Sequence, residues 1–144
     1  MADTKELARR FIEAFNAHDE KALLALNTQD ATFSAPGGIT LKGREASTAY
    51  AMAWLNAFPD SRMVIRNEII SGDTAVQEFT FEGTQTATLH APTGDVPATN
   101  RRLSGRGVQV IKVRDGLVAD TQLYFDQVDV LTQLGLMPTP AATR

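Results

Sequence analysis

Leu7, Phe11, Ile12 and Phe15 recur at helical spacing between Lys5, Arg9, Arg10 and Glu13, so residues 4–17 are predicted to form an amphipathic helix. The Thr4 hydroxyl is placed to cap it by accepting from a free amide of the first turn. Asn16-Ala17-His18-Asp19 interrupts the pattern. Residues 19–26 then read as a second, shorter helix, with Asp19 as its cap and Leu23, Leu24 and Leu26 as its apolar side. Residues 31–35 read as a short strand closed by the turn signal Pro36-Gly37-Gly38. A third helix is predicted over residues 43–58, with Ala49, Met52, Ala53, Trp54 and Leu55 spread around it and Pro59-Asp60 ending it. From residue 62 the period changes to two. Residues 62–71 and 74–83 alternate as half-buried strands do, joined at Gly72-Asp73. Residues 86–100 read as a loop. Residues 102–113 form a long strand carrying Val108, Val110, Ile111 and Val113, Arg114-Asp115-Gly116 a second hairpin turn, and residues 117–126 the last strand. A closing helix over 127–135 is stopped by Gly135 and Pro138.

Three helices followed by hairpins predict an α+β fold, with the helices on one face of a strongly curved antiparallel sheet. Such a sheet leaves a cone between itself and the helices, where a small molecule binds. Its other face is uncovered and amphipathic, so a homodimer through the sheet is expected.

Composition narrows the function. The chain has 144 residues, 43% hydrophobic and 22% charged, which suits one globular domain (1–138) with a disordered tail (139–144). It has no cysteine, which excludes thiolate catalysis and cysteine-ligated metal. The net charge is −3, and Arg9-Arg10 and Arg101-Arg102 are too short for a nucleic-acid stripe. The N-terminus reads as an amphipathic helix and not a signal peptide, and no apolar run approaches the roughly 18 residues of a membrane span. A cytoplasmic protein is the expectation. His18 and His90, the two histidines, have no partner at ligand spacing, so no metal is expected. No phosphate loop, nucleophile elbow or dinucleotide fingerprint is present, and no cofactor is expected.

Several segments resemble the SnoaL-like polyketide cyclases of the nuclear-transport-factor-2-like superfamily. They are Phe15-Asn16-Ala17-His18-Asp19, Phe58-Pro59-Asp60, Glu78 with Gly83-Thr84, Pro97 to Arg102, Arg114-Asp115-Gly116, and Phe125-Asp126 with Gln133-Leu134-Gly135-Leu136. The resemblance implies a cone-shaped α+β barrel more specifically than it implies a reaction, because this fold carries many chemistries. It also locates what is missing. Alignment on Gln133-Leu134-Gly135 puts the cyclases' acid/base aspartate at Leu123, and alignment on Arg101-Arg102 and Ser104-Gly105 puts their histidine at Gln109. The ketosteroid isomerase groups fall on Phe11, Ala35 and the neighbourhood of Val108 or Gln109, none of which supplies them. A limonene-type epoxide hydrolase relay could be mimicked by Asp126, Arg106 and Glu78.

The remaining candidates have two readings each. Gln109 shares a strand face with Gly107, which would open space in a pocket wall; its amide either bonds a ligand carbonyl or is satisfied by a neighbouring strand. Glu78 is an exposed or interface carboxylate if Phe79 and Phe81 face the helices, and a buried general base if they do not. Asp126 is an acid/base at the pocket mouth or the cap of the last helix. Tyr124 orients a substrate oxygen or packs its ring, and His90 hangs over the entrance or is solvated. Phe15, Phe33, Met52, Trp54, Phe58 and Leu123 complete the expected lining. The functional expectation is a cofactor-independent cyclase or isomerase acting by proton transfer on an apolar, oxygenated polyketide-, terpenoid- or steroid-like molecule. The alternatives are a non-catalytic binding module and an epoxide hydrolase. The enzyme reading requires Glu78, Asp126, Tyr124 or Asp120 to point inward.

Overall fold

Residues 3–137, the part of the chain that the computed structural model describes, run through α1 (Thr4–Asn16), α2 (Glu20–Leu26), β1 (Asn27–Ala35), β2 (Ile39–Lys42), α3 (Arg44–Ala57), β3 (Arg62–Ser71), β4 (Thr74–Thr84), β5 (Leu89–Ala91), β6 (Gly94–Val96), β7 (Arg102–Arg114), β8 (Leu117–Phe125) and α4 (Gln127–Gln133). The tail at 139–144 lies outside the described residues. Six strands form one sheet in the order β2-β1-β8-β7-β4-β3, and β5-β6 form a small separate hairpin. The α+β class holds, with one addition: β1 pairs with β8 in parallel, while the other pairings are antiparallel.

Local chemistry explains the boundaries. Asp3, not Thr4, caps α1: its carboxylate accepts from the Glu6 amide at 2.8 Å, while Thr4 lies inside the helix and donates its hydroxyl to Gly72 O. Asp19 caps α2 as expected, accepting from Ala22 N at 3.0 Å. The short strand predicted at 31–35 begins earlier, at Asn27, and turns through Pro36-Gly37-Gly38 into β2. Gly37 and Gly38 have φ of +92° and +75°, conformations glycine adopts without penalty. The expected loop at 86–100 holds the β5-β6 hairpin because Leu89 is buried in the main core.

Asn16 binds the helical layer to the sheet. Its side-chain amide donates to Met63 O at 3.0 Å and accepts from Met63 N at 2.8 Å, fixing the end of α1 to the start of β3. At the far end β8 stops at Phe125 while β7 continues, which leaves the Ser104 backbone without a strand neighbour on that side. Gln133 of α4 takes that place, accepting from Ser104 N at 2.8 Å and donating to Ser104 O at 3.0 Å.

The core has three buried parts, of which Phe33, Ile39 and Tyr50 form the smallest. Leu7 and Ala8 of α1 meet Ala75, Ile111 and Val118 at one end. The largest part joins α1, α2, α3 and α4 to Met63, Phe79, Phe81 and Leu103. Register irregularities in the β3–β4, β7–β8 and β1–β8 pairings add the twist that wraps the sheet around them. Gly107 sits at the tightest point. A Cβ there would lie 2.5 Å from Phe79 Cζ and 3.0 Å from Tyr124 O. Gly107→Ala is therefore expected to destabilise the fold by about 1–3 kcal/mol through overpacking, read from denaturant midpoints; an unchanged midpoint would show that the ring moves freely.

Candidate functional site

Alternation along β4, β7 and β8 turns Phe79, Phe81, Leu103, Gly105, Gln109, Leu123 and Phe125 toward the helices. With Phe11 and Phe15 of α1, Tyr50, Ala51 and Trp54 of α3, Phe33, Met63 and Val130, they enclose a cavity of ≈ 80 Å³. The space is small beside the roughly 300–1,000 Å³ of pockets that take drug-sized ligands. It leaves room for a small fragment and not for a drug-sized ligand.

Its walls are aromatic. Trp54 lies edge-on to Phe81 and Phe125, with centroids 5.8 Å away in both cases, and stacks on Phe58 at 5.7 Å. Phe33 and Tyr50 close the opposite side at 4.8 Å. Among the described residues, no aspartate, glutamate or histidine lines the cavity.

The expected lining residues divide. Phe15, Phe33, Trp54, Leu123 and Gln109 are in the wall. Phe58 is fully buried behind Trp54 and Phe81, and Met52 packs half-buried against the core, so neither reaches the cavity. Gly107 faces inward but opens no space, because the Phe79 ring lies against it. His90 is exposed on the β5-β6 hairpin beside Asp95, at 3.0 Å. Tyr124 is on the outer face, 57% exposed.

The expected acid/base groups are not brought together. Glu78 is on the outer face, where it accepts from Asn67 at 2.8 Å. Asp126 caps α4, accepting from Asp129 N at 3.0 Å. Asp120 accepts from Thr32 Oγ1 at 2.5 Å and from Gln122, again outside. Arg106 is exposed and touches the edge of the lining, with its side chain on the outer phase of β7. The Asp126-Arg106-Glu78 set therefore does not surround a common water inside the cone. No cluster of three metal-ligating side chains occurs among the described residues.

Two polar groups do reach the wall. Gln109 is 3% exposed and donates its amide N–H to Gln77 Oε1 at 2.8 Å, so the donor expected for a ligand carbonyl is used by the neighbouring strand. Tyr50 was not singled out by the sequence pattern, although its i,i+4 spacing to Trp54 puts both on one face of α3. Burial raises the Tyr50 phenol above its ordinary value, opposed in part by the Trp54 side chain beside it.

A raised phenol in the folded state fixes a pH dependence. Below the unfolded value near 10 both states hold the proton; above it the unfolded state releases first, so stability falls as pH rises through the alkaline range. Absorbance-monitored titration is expected to show a late-ionising tyrosine that vanishes in Tyr50→Phe. Its survival in that variant would contradict the assignment.

Comparison with known proteins agrees with this fold. The SnoaL-like domain family matches residues 8–121. A proposed SnoaL-like polyketide cyclase from Jannaschia sp. CCS1 superposes with a TM-score of 0.81 at 20% identity, covering 94% of this chain and 93% of that one. TsrD from Streptomyces laurentii superposes at 0.78 with 25% identity, over 92% and 95% of the two chains. An LEH-like epoxide hydrolase from M. tuberculosis superposes at 0.68 with 16% identity, over 89% and 86%. No curated protein matches the sequence. Among the described residues, no helix is long and apolar enough to cross a membrane.

Proposed function

This chain belongs to the SnoaL-like domain family, and from that premise we propose that it binds an apolar, oxygen-bearing small molecule in its cone, with a single ring as the buried part. The observation that carries the reading is an aromatic cavity whose lining includes no carboxylate or histidine among the described residues. The polyketide-, terpenoid- or steroid-like class expected from the sequence fits as fragments of that size; a polycyclic ligand needs Met63 or the phenylalanines to move. Cyclase or isomerase chemistry through Glu78 or Asp126 loses its support, because both carboxylates are elsewhere. A second reading, catalysis by proton transfer, is favoured by one observation: the Tyr50 phenol lies in the wall.

Trp54 is the single tryptophan of the chain and is part of the wall, so its emission reports occupancy. Single-ring terpenoid and phenolic ligands are expected to give a saturable change in that emission, lost when Ala51→Leu fills the cavity. Absence of any saturable change across that class would sink the binding reading. If a bound ligand is also turned over, Tyr50→Phe is expected to lower kcat by about 10²-fold or more with binding retained; unchanged turnover would remove Tyr50 from the chemistry.

The outer sheet face supports a homodimer as part of the same proposal. Ile69, Val76, Val108, Val110 and Tyr124 adjoin across β3, β4, β7 and β8 as an apolar stripe, with Ile69 56% exposed. Light scattering is expected to give a dimer at micromolar concentration and a monomer for Val110→Lys. A monomeric parent chain would overturn the dimer.

A further inference from the structure

We infer that the cavity selects ligands that bring a hydrogen-bond donor, because a buried relay holds Gln109 with its carbonyl oxygen as the group left for the ligand. The inference rests on the proposed small-molecule site and specifies its chemistry.

The relay begins with a strand irregularity. Met63 and Ile65 of β3 face inward, opposite Phe81 and Phe79. Simple alternation would continue with Asn67 and Ile69. The bulge between Ile65 and Asn67 shifts the phase, so Glu68 pairs with Gln77 on the inner side while Asn67 and Ile69 turn outward. Glu68 Oε2 then accepts from Gln77 Nε2 at 2.7 Å, and Gln77 Oε1 accepts from Gln109 Nε2 at 2.8 Å.

This chain has a direction. An ionised carboxylate only accepts, so Gln77 must present its amide nitrogen to Glu68 and its oxygen to Gln109. Gln109 must answer with its own nitrogen. Gln77 is 0% exposed, so no water competes for either end. The second Gln109 amide hydrogen meets Met63 Sδ at 4.0 Å, a weak acceptor.

What remains is Gln109 Oε1. It receives no hydrogen bond from any described residue. The fully buried side-chain polar atoms without a partner, among the described residues, are Thr48 Oγ1 and Ser61 Oγ, so Gln109 Oε1 keeps accessible surface although its residue is 3% exposed. Gln109 lines the cavity, and its oxygen is assigned to that side, where little polar surface is exposed. A ligand hydroxyl, phenol or enol restores the missing hydrogen bond. An ether or an isolated ketone brings a second lone pair and restores nothing. Glu68 and Gln77 are positioning residues: they do not touch the ligand, but they fix which end of Gln109 does.

Phenol and fluorobenzene are nearly isosteric, differ in one donor, and suit a cavity of ≈ 80 Å³. Their dissociation constants would be measured by calorimetry for phenol and by fluorine NMR for fluorobenzene, on the parent chain, Glu68→Gln and Gln109→Met. The ratio of the two is expected to shift against phenol by about five- to tenfold in Gln109→Met, the weight of one net hydrogen bond. A smaller shift is expected in Glu68→Gln, where the introduced amide can accept or donate and frees both glutamines to turn over. If Gln109→Met does not fold, the half-exposed Glu68→Gln decides. Equal ratios in all folded forms would overturn the polarity while leaving fluorobenzene binding, and so the site, intact. Failure of fluorobenzene to bind the parent chain would overturn both.

Discussion

The inward phase of β4 is the constraint from which the rest follows. This strand, next to the edge strand, pairs with β3 on one side and β7 on the other, and Phe79 and Phe81 both point to the helices. Phe81 makes edge contacts with Phe15, Trp54 and Phe58, each such pair contributing about 0.5–1.5 kcal/mol beyond its buried area. A slip of one residue would expose both rings and bury Glu78, so the register has a large penalty for error. Gly107 belongs to the same constraint, since only a residue without Cβ lets the Phe79 ring close on β7. Asn16 extends the constraint to α1 by fixing it to β3, the neighbour of β4.

That phase also separates the acids from the cavity. Once the aromatic rings are inside, Glu78 is outside, and the matching phase on β8 puts Asp120 and Tyr124 outside with it. The SnoaL-like fold is thus retained while Leu123 and Gln109, neither of which carries a titratable group, stand in the wall. A scaffold of this kind leaves its chemistry to a few inward side chains.

Much of this was legible in the sequence because it depends on local periodicity. The 3.6-residue spacing of Leu7, Phe11 and Phe15, the alternation from Thr74 to Gly83 and the two-residue turn at Asp115-Gly116 each specify their element with little help from distant residues. The caps at Asp19 and Asp126 were legible for the same reason, whereas at α1 Asp3 and Thr4 both satisfy the capping rule and only the structure distinguishes them, in favour of Asp3. Long-range features were not legible. The β2 strand and the parallel β1–β8 pairing need partners far along the chain. The placement of Glu68 depends on a bulge at Arg66 that leaves no mark on the hydrophobic pattern, since Ile65, Ile69 and Ile70 suit either phase. Tyr50 was hidden among the small residues of α3, where its burial depends on Phe33 across the cone.

The Glu68-Gln77-Gln109 chain runs against what stability alone favours. Two nearly inaccessible glutamines occupy inner positions of β4 and β7 that aliphatic side chains would fill without desolvating an amide. Every link is satisfied except the last, so the expense of burying the chain is met everywhere but at the cavity wall. A half-satisfied polar network is worse for a core than none. Departures from local consistency of this kind concentrate at functional sites. In a cavity walled mostly by aromatic and aliphatic groups, with the Tyr50 phenol as the other polar group in the wall, an oriented acceptor gives direction to a ligand that apolar contact would hold in any rotation. The apolar wall supplies affinity in proportion to the area it covers. Gln109 supplies orientation, and Glu68, partly exposed at the other end of the relay, determines which orientation that is.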